Sequence, residues 1–111
     1  NGEQAIYWYQ QAADQDDACA QFILGTLYLD GDIVEEDDER AVKLFRLAAE
    51  QDDENAMEML GYCYENGYGV AEDLEQAIHW YQQAAERGDE EAKASLERLA
   101  VEREAEIRTN N

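Results

Sequence analysis

The sequence predicts an all-α solenoid of antiparallel helix pairs, and three observations predict it. The chain aligns with itself when shifted by 36 residues. Within each period, small and apolar residues recur at helical spacing in two successive segments. The 111 residues also contain no proline, while the abundant Ala, Leu, Glu and Gln all favour helix. A period of this length marks stacked helix pairs, each too small to bury its own apolar face without a neighbour.

The register is dense. Ala5, Ala41 and Ala77 coincide, as do the pairs Ala12 and Ala13, Ala48 and Ala49, and Ala84 and Ala85. Asp17, Asp53 and Asp89 match, then Ala20, Ala56 and Ala92, then Leu24, Leu60 and Leu96. Gly25 pairs with Gly61, Tyr28 with Tyr64, Gly31 with Gly67, Val34 with Val70 and Asp37 with Asp73. Helices are expected at 3–15, 18–30, 38–51, 54–66, 74–87 and 90–108. The organisation is one repeat domain, with 18–51 and 54–87 as full repeats.

Each element has its own justification. The segment 3–15 reads as a second-type helix carrying Ile6, Trp8 and Tyr9. The first-type helix that would cover this stripe is missing, so the expectation is a fragment of a longer solenoid and a route to self-association through this end. In 18–30, Ala20, Leu24, Leu27 and Tyr28 fall on one face, echoed in 54–66 by Ala56, Leu60, Cys63 and Tyr64. In 38–51, Ala41, Leu44, Phe45, Ala48 and Ala49 do the same, echoed in 74–87 by Ala77, Trp80, Tyr81, Ala84 and Ala85. The repeated Gly and Ala positions let two helices approach closely.

The punctuation agrees with the helices. Asp17, Asp53 and Asp89 sit where an N-cap side chain accepts a backbone N–H. Asp73 with Gln76 forms a capping-box pattern, whose second half Asp37 lacks because Arg40 stands at the matching place. Gly88 reads as a left-handed C-cap, with Asp16 and Asp52 at that place in earlier units. The last helix, 90–108, carries Glu97 at the Gly25/Gly61 position and reads as a terminal cap with a polar outer side.

Charge narrows the partner classes. The chain holds 28 acids against 8 bases, a net charge of −20. Residues 1–39 carry eleven acids and no Lys or Arg. Such a surface repels phosphate backbones and anionic membranes, so neither nucleic acid nor membrane insertion is expected, whereas a basic partner fits. No apolar run approaches the roughly 20 residues that span a bilayer.

Residues for chemistry are scarce. His79 is the one histidine and aligns with Tyr7 and Lys43, a solvent-facing place. A lone His makes no metal pair. Ser95 is followed three places on by Arg98 and not Lys, so the Ser-x-x-Lys motif is missing. The run Glu35-Glu36-Asp37-Asp38-Glu39 lacks the alternating spacing and glycine of a calcium loop and reads as a solvated lead-in to an N-cap. No enzyme, cofactor or metal is expected.

The residues from Ala56 through Leu60-Gly61, Tyr64, Gly67-Tyr68-Gly69-Val70, Asp73, Ala77, Trp80 and Ala84-Ala85 to Gly88-Asp89 resemble the Sel1-like repeat family, relatives of the tetratricopeptide repeats. The resemblance implies a right-handed superhelix whose first helices line a concave face, and adaptor roles that are often bacterial. One departure is Ile33 at the place of Gly69, where a glycine-only backbone is therefore closed to the first loop. The cysteine-rich members imply disulfides at places that here hold Ala13 and Gln21, then Ala49 and Met57. Cys19 and Cys63 match neither, and with eight positions of helix rise plus an interhelix gap between them they are expected as free thiols.

By the same resemblance, the concave face would be lined by Cys19, Phe22, Thr26, Leu29 and Asp30. The next repeat would add Asn55, Glu58, Tyr62, Glu65 and Asn66, and the cap Glu91, Ala94 and Arg98. The expected function is a protein–protein interaction scaffold holding a peptide or partner protein there; the acidity leaves two readings open, a basic partner or solubility alone. The competing expectation is a stacking module whose groove binds nothing.

Overall fold

A computed structural model describes residues 2–110. Among them are α1 (Gly2–Asp14), α2 (Ala18–Asp30), α3 (Asp38–Ala49), α4 (Glu54–Asn66), α5 (Leu74–Glu86) and α6 (Glu90–Asn110), with no strand. The all-α helix-pair architecture expected from the period is therefore present, and the helix ends fall within two residues of the expected ones.

Aspartates start the helices. The Oδ1 atoms of Asp17, Asp37, Asp53 and Asp73 accept from the N–H of Ala20, Arg40, Ala56 and Gln76 at 3.1, 3.1, 3.0 and 3.2 Å. Asp89 accepts from Glu91 and Ala92. Each of these bonds satisfies one of the donors a helix start leaves open. The capping box expected at Asp73 is corrected by half. Its second bond would need the Asp73 N–H, which already donates to the Tyr64 carbonyl at 2.9 Å. The Asp37 N–H donates in the same way to Tyr28 at 3.0 Å, so Gln76 and Arg40 are equivalent for capping.

The turns after the second-type helices take the left-handed conformation at Asp16 (φ 64°), Asp52 (φ 67°) and Gly88 (φ 96°), as the alignment predicts. The loops inside the pairs differ from each other. Gly69 has φ 73° and lies directly against the Asp38 carbonyl, where no Cβ fits. Ile33, its counterpart, does not share that conformation, as its side chain demands.

Packing follows from two glycines. The most extensive helix contacts are α2 on α3 and α4 on α5, within each pair. A Cβ on Gly25 would meet the Phe45 ring at 2.8 Å, and one on Gly61 would meet the Tyr81 ring at 2.7 Å and the Ala77 carbonyl at 3.1 Å. The close approach thus seats an aromatic ring of the following helix. Ala41, Ala48, Ala56, Ala77, Ala84 and Ala92, all fully buried, fill the remaining core with Leu60 and Cys63. Cys63 is buried and Cys19 exposed, both free.

The molecule is long and thin. Its extents are 55 × 27 × 20 Å and its radius of gyration 15.3 Å, against roughly 13 Å for a compact globule of this length. At the open end, the expected stripe divides. Ile6 and Tyr9 pack onto the cluster around Ala13, Leu24 and Leu44. Trp8 is 67% exposed, whereas Leu44, one repeat later, is 8% exposed because it packs in one cluster with Ala13, Ala20 and Leu24. Tyr7 stands edge-on to Trp8, also exposed. At the other end, Val101 and Ile107 are the large apolar residues that α6 exposes among the described residues.

Candidate functional site

The first-type helices α2, α4 and α6 carry the predicted lining at helical spacing. Residues 19, 22, 26 and 30 share one face of α2, 55, 58, 62 and 66 one face of α4, and 91, 94 and 98 one face of α6. The structure sorts these residues into three groups.

One group is committed to internal contacts. The Phe22 ring lies 6.1 Å from that of Phe45 and packs on the core. Thr26 Oγ1 donates to the Phe22 carbonyl at 3.0 Å, and Asn66 Nδ2 to the Tyr62 carbonyl at 2.9 Å. Arg98 grips Glu65 with two bonds, Nη1 to Oε2 at 2.7 Å and Nη2 to Oε1 at 2.8 Å. The Tyr81 hydroxyl donates to the same Oε1 at 2.8 Å. One carboxylate therefore ties α4, α5 and α6 together. The Arg98 bonds hold Glu65 below the usual carboxylate range against the opposing effect of burial, and burial, then Glu65, pushes the Tyr81 phenol up.

A second group lines a cleft of about 400 Å³ between α2 and α4. Leu29, Asp30 and Tyr62 come together there with Glu36, Asp38, Met59 and Tyr68. The Tyr62 and Tyr68 rings sit 5.6 Å apart at 55°. The negative Asp38 beside Glu36 raises the Glu36 pKa.

The third group remains open to solvent. Cys19, Asn55, Glu91 and Ala94 are exposed. Glu58 is half-buried, and burial followed by the charges of Asp89 and Glu91 pushes its pKa up to about 7. His79 is exposed on α5, its ring edge-on to Trp80, outside this face.

The Sel1 repeat family model matches residues 1–17, 20–53 and 55–89. The chain belongs to the Sel1 repeat family. A Sel1 repeat protein from Oxalobacter formigenes superposes with a TM-score of 0.81 at 44% identity, over 86% of this chain and 39% of that one. The protective antigen c5321 of uropathogenic Escherichia coli, which displays an SLR fold, gives 0.78 at 40% identity over 80% of this chain and 19% of that one. Helicobacter pylori cysteine rich protein B gives 0.81 at 25% identity over 86% and 72%. The chain thus spans well under half the length of the first two. The comparison with curated proteins returns no match. Sel1 repeat proteins are generally protein–protein interaction scaffolds without catalysis of their own.

Within the Sel1 frame, Ala13 and Gln21 occupy the places where the resemblance implies a disulfide in cysteine-rich members. A hydrogen bond stands there instead. The fully buried Gln21 donates from Nε2 to the Ala13 carbonyl at 3.2 Å and accepts from Gln51 Nε2 at 2.9 Å. Sequence reasoning missed four cleft residues, Glu36, Asp38, Met59 and Tyr68. Glu36 and Tyr68 lie in the loops inside the pairs, which helical spacing does not place. The signal within reach was the alignment of Gly67-Tyr68-Gly69 with Gly31-Asp32-Ile33, which puts Tyr68 and Gly69 where the equally long first loop has Asp32 and Ile33.

Proposed function

We propose that this Sel1 repeat chain is a scaffold that holds a basic peptide segment of a partner protein along the face formed by α2, α4 and α6. The observation that carries the reading is the state of the carboxylates on that face. Glu65 is neutralised by Arg98, while Asp30, Glu36, Asp38 and Glu91 enter none of the ion pairs among the described residues, and Glu58, its pKa at about 7, ionises more fully as a cation approaches. Charges left unpaired beside exposed Tyr62 and Tyr68 suit a cationic, extended or helical ligand, with tyrosines as anchors and acids as steering groups.

The test is a fluorescence-anisotropy titration of the full chain with a basic peptide and an acidic peptide of equal length. The basic peptide binds, more weakly as salt rises, and the acidic one does not. Substituting Glu58 and Glu91 by Gln weakens binding more than the same change at Glu86 and Glu104, which lie off this face or beyond it. Equal losses from the two sets remove the face from the functional reading.

A second reading has its own observation. Exposed Trp8 and Tyr7 on α1 supply an apolar surface for a second copy. Under this reading the mass in solution rises with concentration, and Trp8→Glu abolishes the rise. A mass that stays monomeric throughout rejects it.

A further inference from the structure

We infer that the cleft between α2 and α4 is a subsite for one cationic side chain of the partner, the guanidinium or ammonium group of an Arg or Lys. The inference rests on the scaffold reading above and specifies where a positive charge is held.

The lining has the chemistry for it. Asp30, Glu36 and Asp38 present carboxylates, Leu29 and Met59 present apolar surface, and Tyr62 and Tyr68 present a tilted ring pair. No Lys or Arg lines the cleft. An aliphatic stem ending in a cation matches each of these: the stem against Leu29 and Met59, the charge against the carboxylates and a ring face. A neutral apolar ligand would desolvate three acids without compensation, and a phosphate would be repelled. A bare metal ion fits poorly, because among the described residues no three His, Cys, Asp or Glu side chains are grouped to hold one.

Asp38 and Glu36 stand side by side in this lining, close enough for a side-chain hydrogen bond between them, and a cation entering the cleft meets both carboxyl groups at once. The backbone of Gly69, packed on the Asp38 carbonyl, fixes where this residue sits relative to Tyr68.

The chain itself shows what belongs at this register. Leu29 and Tyr62 line the α2–α4 junction, and a shift of 36 residues turns them into Glu65 and Arg98 at the α4–α6 junction. There a guanidinium is already in place, bound bidentate to a carboxylate. Elsewhere the chain lays its own arginines on tyrosines, Arg40 over Tyr28 at 5.0 Å and Arg46 over Tyr64 at 5.9 Å. The α2–α4 cleft has the acids and the rings, and its cation comes from outside.

The experiment uses acetyl-arginine amide as probe, titrated into the full isotope-labelled chain and followed by amide chemical shifts, with acetyl-citrulline amide as the neutral isostere. The arginine probe shifts Asp30, Asp38, Tyr62 and Tyr68 ahead of exposed acids such as Asp52 and Glu104, and the citrulline probe does not. Shifts spread evenly over the acidic surface, or equal shifts from citrulline, overturn the subsite. In a second measurement, a short basic peptide binds Asp38→Asn about tenfold more weakly and Tyr68→Leu roughly fivefold more weakly than the unsubstituted chain. Unchanged affinity in both variants overturns the cleft while leaving the face reading intact. Binding that depends on Asp38 and Tyr68 but not on Glu58 or Glu91 supports the cleft and overturns the wider face.

Discussion

Two glutamates on one helix, Glu58 and Glu65, show how far neighbours decide what a residue does. Both lie on the same side of α4, two turns apart. Arg98 holds Glu65 ionised and below the usual range. Burial, with Asp89 and Glu91 nearby, pushes Glu58 up to about 7 from 4.5. The sign of the consequence is opposite in the two cases. A native carboxyl with a raised pKa binds more protons than the unfolded chain, so its contribution is full below about 4.5 and is lost as pH climbs through about 7. Glu65 contributes above its unfolded value and loses that as pH falls. Glu58→Gln should therefore stabilise the protein above pH 7 by roughly 1–2 kcal/mol, discounted for partial exposure, and have little effect near pH 4. Denaturant melts at the two pH values check it, and an equal effect at both would contradict the burial of Glu58. Helical spacing revealed that both residues share a face. Pairing was not legible, since Arg98 reaches Glu65 from 33 residues away.

At the scale of the element, the helix pair was the legible unit. Ala, Gly and Asp recurring at 36 residues placed all six helices, because caps and close contacts tolerate few residue types. The partner of each glycine was less legible: the facing alanines promised a small-residue contact, whereas Gly25 and Gly61 receive Phe45 and Tyr81 rings. Gly61→Leu should force the Tyr81 ring away and cost at least about 1–3 kcal/mol. The change also threatens the Tyr81 bond to Glu65, so the loss should exceed that of Gly61→Ala in a urea titration. Equal midpoints for the two variants and the parent would refute this packing. The loops inside the pairs stayed illegible, because Ile33 and Gly69 steer equivalent segments along different backbones.

The whole molecule is a thin, strongly acidic rod, 55 Å long and carrying −20. Its charge is not spread to one purpose. Cap aspartates serve the helices, Glu65 clamps three of them, and a remainder on the α2–α4–α6 face meets solvent without a counter-charge. That remainder is the basis of the scaffold reading, and its field acts on approach more than on residence. Self-repulsion of such a surface also weakens as the Debye length falls to about 8 Å near physiological ionic strength, so salt should raise the melting temperature while it weakens a basic ligand. The most direct measurement is stopped-flow association of a labelled basic peptide across a salt series, with the parent chain and with Glu58→Lys/Glu91→Lys. The account predicts an association rate that falls steeply with salt and falls again in the double variant, with dissociation little changed. An association rate indifferent to salt, or one reduced as much by Glu86→Lys/Glu104→Lys, would contradict it.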